Sequence, residues 1–132
     1  MIKKDIRTDE EWEKVLTPQQ FNILRKNGTE ISGTCALSYK KEGVFHCIAC
    51  GNPLFKSKTK FESGTGWPSF FEPYSKQSII LKKDNALGMI RTEVLCSKCE
   101  GHLGHIFNDG PPPTHKRFCI NGAVLKFVQG EK

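Results

Sequence analysis

Six cysteines carry most of the chemistry available to this 132-residue chain. Four of them form two copies of one pattern, Cys47-Ile48-Ala49-Cys50-Gly51 and Cys96-Ser97-Lys98-Cys99-Glu100-Gly101, each entered from an apolar run. Two residues between the cysteines let a tight turn aim both sulfurs at one ion. A glycine after the pair lets the backbone fold back without a Cβ clash. Two such turns supply the four thiolates of a tetrahedral structural zinc site, Cys47, Cys50, Cys96 and Cys99. The 45 residues between the pairs are many for a zinc ribbon, so the ion would pin together distant parts of the fold. Two other readings remain open at this level. A single Cys-x-x-Cys is also the signature of a redox dithiol. Cys96, Cys99, His102 and His105 could form a local Cys2His2 site, although Gly101 and Gly104 interrupt the helix that usually carries such histidines.

Cys35 and Cys119 remain. Arg117-Phe118-Cys119-Ile120-Asn121 alternates cleanly, so a strand would put Arg117, Cys119 and Asn121 on one face and Phe118 and Ile120 in the core. A thiol beside a guanidinium has a cation that favours the thiolate, and the carboxamide adds a donor for a polar substrate. Just upstream, His102-Leu103-Gly104-His105-Ile106-Phe107-Asn108-Asp109 offers two imidazoles and a carboxylate within eight residues. Histidine is the usual acid or base near neutral pH, and an aspartate can orient one. In Ser63-Gly64-Thr65-Gly66-Trp67-Pro68-Ser69, glycines and a proline around a tryptophan predict a turn that exposes an indole as a wall for a small apolar or sulfur-bearing group.

These groups need elements to hold them. Thr8 with Glu11, and Thr17-Pro18 with Gln20, each read as a capped helix start, and Gly28 reads as the stop, so residues 8–27 form a helical hairpin. Beyond it, short apolar runs alternate with Gly, Pro, Asn and Asp. Val44–Ile48, Ser78–Leu81, Gly88–Leu95, Arg117–Asn121 and Ala123–Val128 read as strands, with a hairpin turn at Asp84-Asn85 and a rigid loop at Gly110–Pro113. The expectation is a single domain over 1–132, with a helical cap at 8–27 on a zinc-bound, mainly β body at 29–130.

The net charge is +6, and all the excess lies beyond residue 30 without a dense Lys/Arg block. A zinc-ribbon module binding nucleic acid would explain the charge and the quartet, but not Cys119, the histidines or Trp67. A redox sensor in which Cys119 is oxidised to signal is a third reading. No apolar run opens the chain and none is long enough to cross a membrane, so the expected setting is soluble and cytoplasmic, without membrane or nucleic-acid partners.

The combination of Cys47–Phe55, Gly64–Phe70, Cys96–Cys99 and His102–Asn121, continuing through Gly122-Ala123-Val124-Leu125-Lys126-Phe127, resembles the methionine-R-sulfoxide reductases, the B class of peptide methionine sulfoxide reductases. The resemblance runs from about residue 9 to 128. It implies two antiparallel sheets with the active site between them and zinc at the far end. It implies Cys119 as the nucleophile, Trp67 packed on the substrate methyl group, Phe107 as a second aromatic wall, and His102, His105, Asp109, Arg117 and Asn121 around the sulfoxide oxygen. The implied substrates are oxidised proteins or peptides carrying methionine-R-sulfoxide, and the implied electron donor is thioredoxin. A monomer is expected. Many relatives carry a cysteine at the position of Thr65, where it closes a disulfide onto the oxidised nucleophile. Threonine cannot do this, so Cys35 is the candidate resolving cysteine, the alternative being an enzyme that works with one cysteine.

Overall fold

A computed structural model describes residues 4–26, 28, 42–61, 63–65, 67–84 and 91–130. Both expected helix starts are formed. In α1 (Asp9–Val15) the Thr8 hydroxyl accepts from the Glu11 backbone N–H, and the Glu11 carboxylate accepts from the Thr8 N–H at 3.0 Å. In α2 (Pro18–Lys26) Thr17 and Gln20 exchange the same two bonds, at 3.0 and 3.2 Å. Each box satisfies backbone donors that a helix start leaves without partners. At the other end of α2, the Gly28 N–H reaches back to the Asn22 carbonyl at 2.9 Å. Trp12, Leu16, Phe21, Ile23 and Leu24 of this hairpin are buried in the common core.

The β body contains two antiparallel sheets. The smaller has the order β2-β1-β9, from β1 (Gly43–Cys47), β2 (Pro53–Lys56) and β9 (Leu125–Gln129). The larger has the order β3-β4-β8-β7-β6-β5, from β3 (Lys60–Phe61), β4 (Ser69–Phe70), β5 (Ile79–Asp84), β6 (Arg91–Cys96), β7 (His102–Phe107) and β8 (Arg117–Ile120). The sheets meet through aromatic rings. Phe55 of the smaller sheet stacks on Phe70 at 4.4 Å and packs on Phe118 at 5.8 Å, while Phe45 meets Phe70 edge-on at 5.3 Å. Phe70 and Phe118 are cross-strand partners, so one face of the larger sheet is the core face.

The mainly β expectation holds, but β2, β3, β4 and β7 lie outside the expected strands, and Ala123-Val124, expected as strand, belong to a 3-10 turn over Gly122–Val124. His102–Phe107, which was not among the strands expected from sequence, is β7, paired on both sides by β6 and β8. Its glycine belongs there for steric reasons: a Cβ on Gly104 would lie 2.0 Å from the Cys119 carbonyl oxygen. Of the turn predicted at Asp84-Asn85, Asp84 ends β5 and Asn85 lies outside the described residues, as do Gly66 and Cys35.

Candidate active site

Cys119 on β8 pairs with Ser69 of β4 on one side and with His105 of β7 on the other. Directly opposed residues in antiparallel strands share a face, with Cβ atoms about 5 Å apart. The row continues from His105 to Glu93 on β6, and from Glu93 to Lys82 on β5. One line of side chains therefore crosses the sheet on the face turned away from Phe70 and Phe118. This corrects an expectation: the site sits on the far face of the larger sheet, not between the two sheets.

The alternation is observed over Arg117–Ile120, with Phe118 and Ile120 buried and Arg117 and Cys119 half-buried, whereas Asn121 lies past the strand, buried, at the start of a 3-10 turn over Gly122–Val124. A pocket of ≈ 110 Å³ opens over Cys119 and is lined by Trp67, Arg91, Gly104, His105, Phe107, Ile120 and Asn121. Five of the residues expected at the site therefore come together: Cys119, His105, Trp67, Phe107 and Asn121. Arg117 flanks them, its guanidinium 4.3 Å from the centre of the Phe107 ring. Asp109 stands outside the pocket and binds Arg117 at 2.8 and 3.2 Å. That pairing holds the Asp109 carboxyl below its ordinary range. It also raises the guanidinium above its ordinary value, chiefly through Asp109 with a smaller contribution from Cys119. The cation beside the sulfur is thus fixed in both place and charge.

His102 is the surprise. Three residues apart on a regular strand, His102 and His105 would face opposite ways. The register of β6 with β7 shifts by one residue, Val94 opposing Gly104 and Leu95 opposing His102, so Leu103 is an extra residue. The bulge turns His102 onto the side of His105, and the two rings meet edge-on at 5.3 Å. His102 is buried behind the pocket lining, its Nδ1 2.6 Å from a Glu93 carboxylate oxygen. Asn121 pins the bulge: its backbone N–H and side-chain amide both donate to the Leu103 carbonyl, at 2.9 and 2.8 Å. Glu93 and Arg91 escaped the sequence reading. Their only signal is that, two apart on one strand, they share a face.

The Trp67 turn is braced by hydroxyls. Ser69 donates to Ser63 at 2.7 Å, Ser63 and Thr65 share a bond of 2.8 Å, and the Trp67 N–H donates to Thr65 at 3.3 Å. Thr65 therefore helps shape the backbone that presents the indole.

The four remaining described cysteines cluster, every sulfur within 4.8 Å of the others. Cys47 and Cys99 are 3.8 Å apart and Cys50 and Cys96 3.4 Å, each pair bridging the two turns. Sulfurs at the corners of a zinc tetrahedron lie about 3.8 Å apart, given a Zn–S bond of about 2.3 Å. The donor set thus suits a metal ion, and His102 and His105 belong to the other site. Hydrogen bonding to Cys50 and to its other neighbours, together with burial, pushes the Cys47 thiol up, while donation from Cys47, Cys50 and Cys99 pulls Cys96 far down. Cations surround the two turns: Lys98 donates to the Cys50 carbonyl, Lys4 to Ser97 and Arg25 to Cys99, at 3.3, 2.8 and 3.0 Å. In the first turn Gly51 takes the left-handed conformation, at φ +78°. In the second that place is taken by Glu100 at φ 60°, and Gly101 instead makes room for Leu24 of α2.

A cysteine near a guanidinium and an imidazole, walled by aromatic rings on a two-sheet scaffold with a four-cysteine cluster, is an arrangement that suits an oxidoreductase. Residues 16–129 match the SelR domain. The chain is 57% identical over 123 residues to the peptide methionine sulfoxide reductase MsrB of Leptospira interrogans serovar Lai, covering 92% of this chain and 93% of that protein. It is 54% identical over 127 residues to the MsrB of Methanosarcina barkeri, covering 96% and 89%. With the MsrB of Pseudomonas fluorescens strain Pf-5 the identity is 51% over 133 residues, covering 96% and 98%. The chain belongs to the B family of peptide methionine sulfoxide reductases, enzymes that reduce methionine sulfoxide. This replaces the nucleic-acid-module and redox-sensor readings. No helix among the described residues is long and apolar enough to cross a membrane.

Proposed function

We propose that the chain reduces the R epimer of peptidyl methionine sulfoxide through a sulfenic acid on Cys119. The observation that carries this reading is the pairing of Cys119 with His105 at the base of a pocket walled by Trp67 and Phe107. A sulfoxide sulfur becomes electrophilic when its oxygen is protonated. In the proposed step the Cys119 thiolate attacks that sulfur, His105 gives a proton to the oxygen, and the S–O oxygen passes to Cys119. The sulfoxide gains two electrons and leaves as methionine, and Cys119 becomes a sulfenic acid. Arg117 stabilises the thiolate before attack, and Asp109 holds Arg117. The sulfoxide is a stereocentre, so a fixed methyl wall at Trp67 and a fixed oxygen site accept one epimer.

Regeneration needs a second thiol. We assign Cys35 as the residue that condenses with the sulfenic acid, releasing water and forming a disulfide that a thioredoxin-type dithiol reduces. By the family resemblance Thr65 stands at the position of that cysteine, and Cys35 is the one cysteine outside the quartet and Cys119. The four-cysteine cluster holds one structural zinc ion, which takes no part in the redox step. The working unit is a cytoplasmic monomer.

Turnover of each epimer of a methionine-sulfoxide peptide, with dithiothreitol as reductant, tests the reading. The R epimer is consumed, the S epimer is not, and Cys119→Ser abolishes the reaction; an inert R epimer with zinc-loaded protein would sink it. For Cys35→Ser the expected outcome is one normal round of reduction with loss of thioredoxin-coupled turnover. Unchanged thioredoxin-coupled rates would remove Cys35 from the cycle.

A further inference from the structure

Glu93 is a carboxylate inside a sheet. It is 6% exposed and lies in the row that runs from Lys82 through Glu93 and His105 to Cys119. Its oxygen sits 2.6 Å from Nδ1 of His102, itself 2% exposed. Burying such a pair is expensive in free energy, and two apolar residues of similar volume would pack as well or better. Packing alone therefore does not account for it. The geometry around it does: the His102 ring, held at Nδ1, meets the His105 ring edge-on at 5.3 Å, and His105 faces Cys119 across the strand pair.

We propose that Glu93 is a positioning residue for sulfoxide reduction, acting through His102 to orient His105. This rests on the assignment of His105 as proton donor. The carboxylate accepts a hydrogen bond from Nδ1–H of His102 and so fixes both the tautomer and the rotation of that ring. The fixed ring then presents its edge or face to His105 in one orientation, which keeps the His105 proton aimed at the oxygen of the bound sulfoxide. The carboxylate also lies one strand from His105, on a face that carries cations from Lys82 on β5, Arg91 on β6 and Arg117 on β8. Asn121, just past the end of β8, supports the arrangement by pinning the bulge that turned His102 to this face.

The first measurement is on the wild-type protein: long-range ¹H–¹⁵N correlation of the histidine rings. The expected result is a His102 that carries a proton on Nδ1. A His102 protonated on Nε2 alone would mean that the pair is not formed as stated, and would overturn the proposal. The second compares Glu93→Gln with wild type in a single-turnover assay of Cys119 oxidation by the R sulfoxide, alongside zinc content and melting. The variant is expected to slow reduction by about tenfold or more with KM changed less than about twofold, because small misplacements of a reacting group are costly in rate. It is also expected to alter the His102 ring signals while zinc stays at one equivalent. A purely structural Glu93 would lower the melting temperature without moving the rate or the tautomer, and that result overturns the proposal. If Glu93→Gln does not fold, Glu93→Asp takes its place: it keeps the charge but withdraws it by one methylene, and a wild-type rate there counts against the idea equally. An inactive wild type would instead refute the reading of the site, so the two failures are distinguishable.

Discussion

At the scale of single residues, the site depends on close approach as much as on reactive groups. Gly104 shows this best, since any Cβ there would collide with the Cys119 carbonyl. Gly104→Ala should destabilise the fold by about 1–3 kcal/mol in denaturant unfolding, and should lower activity even where the protein remains folded. The placement of Arg117 and Cys119 on one face of β8 was legible in the sequence because a period of two is a local property. What Asn121 does was not legible. It was read as a donor to substrate, and one of its two amide protons also goes to the Leu103 carbonyl. That partner exists because of a bulge, and a bulge is decided by register with a strand that lies elsewhere in the chain. For the same reason Glu93 gave no signal, since its partner is nine residues away on the next strand.

At the scale of elements, the two cysteine turns share one shape with different residues at the left-handed position. Gly51 fills it in the first, and Glu100 in the second, where the Glu100 carboxylate pairs with Lys4 at 3.2 Å. The space around Gly51 is open, so Gly51→Ala tests backbone conformation without a clash. It should destabilise the zinc-loaded protein by about 1 kcal/mol, read as a shift of the denaturant midpoint at constant slope. The helix starts were legible because capping boxes are written within four residues. β7 was not: its two histidines and one glycine have a loop's composition, and the strand forms because β6 and β8 pair with it from both sides.

For the molecule as a whole, the cysteine cluster joins the two sheets and the helical hairpin at one point beyond their shared core. Cys47 ends β1 of the smaller sheet, Cys96 ends β6 of the larger, and the helical hairpin docks on the second turn through Arg25 and Leu24. Cys47→Ser should abolish zinc binding and lower the melting temperature by on the order of 10 °C or more, checked by metal analysis and a thermal scan. The sign of the pH effect follows from the ligands, which must lose their protons to bind metal. Affinity therefore falls on acidification, and the metal-derived stability falls with it. The quartet was legible in the residues themselves, and the two sheets through the family resemblance. The face that carries the site was not, because it depends on which side of the larger sheet the smaller one covers.

Cys119 and His105 stand on two interior strands of a six-stranded sheet, flanked by β4 and β6. Loops commonly hold reactive groups because loops can move; here the backbone amides of the reactive strands sit in ladders on both sides. Such amides exchange with solvent only through large openings of the fold. The oxidant that makes the substrate also damages proteins, and a site of this build has little room for a partly loosened, misaligned form. A molecule that keeps its sheet keeps Cys119 opposite His105, so the pairing of these two residues is lost only with the sheet itself.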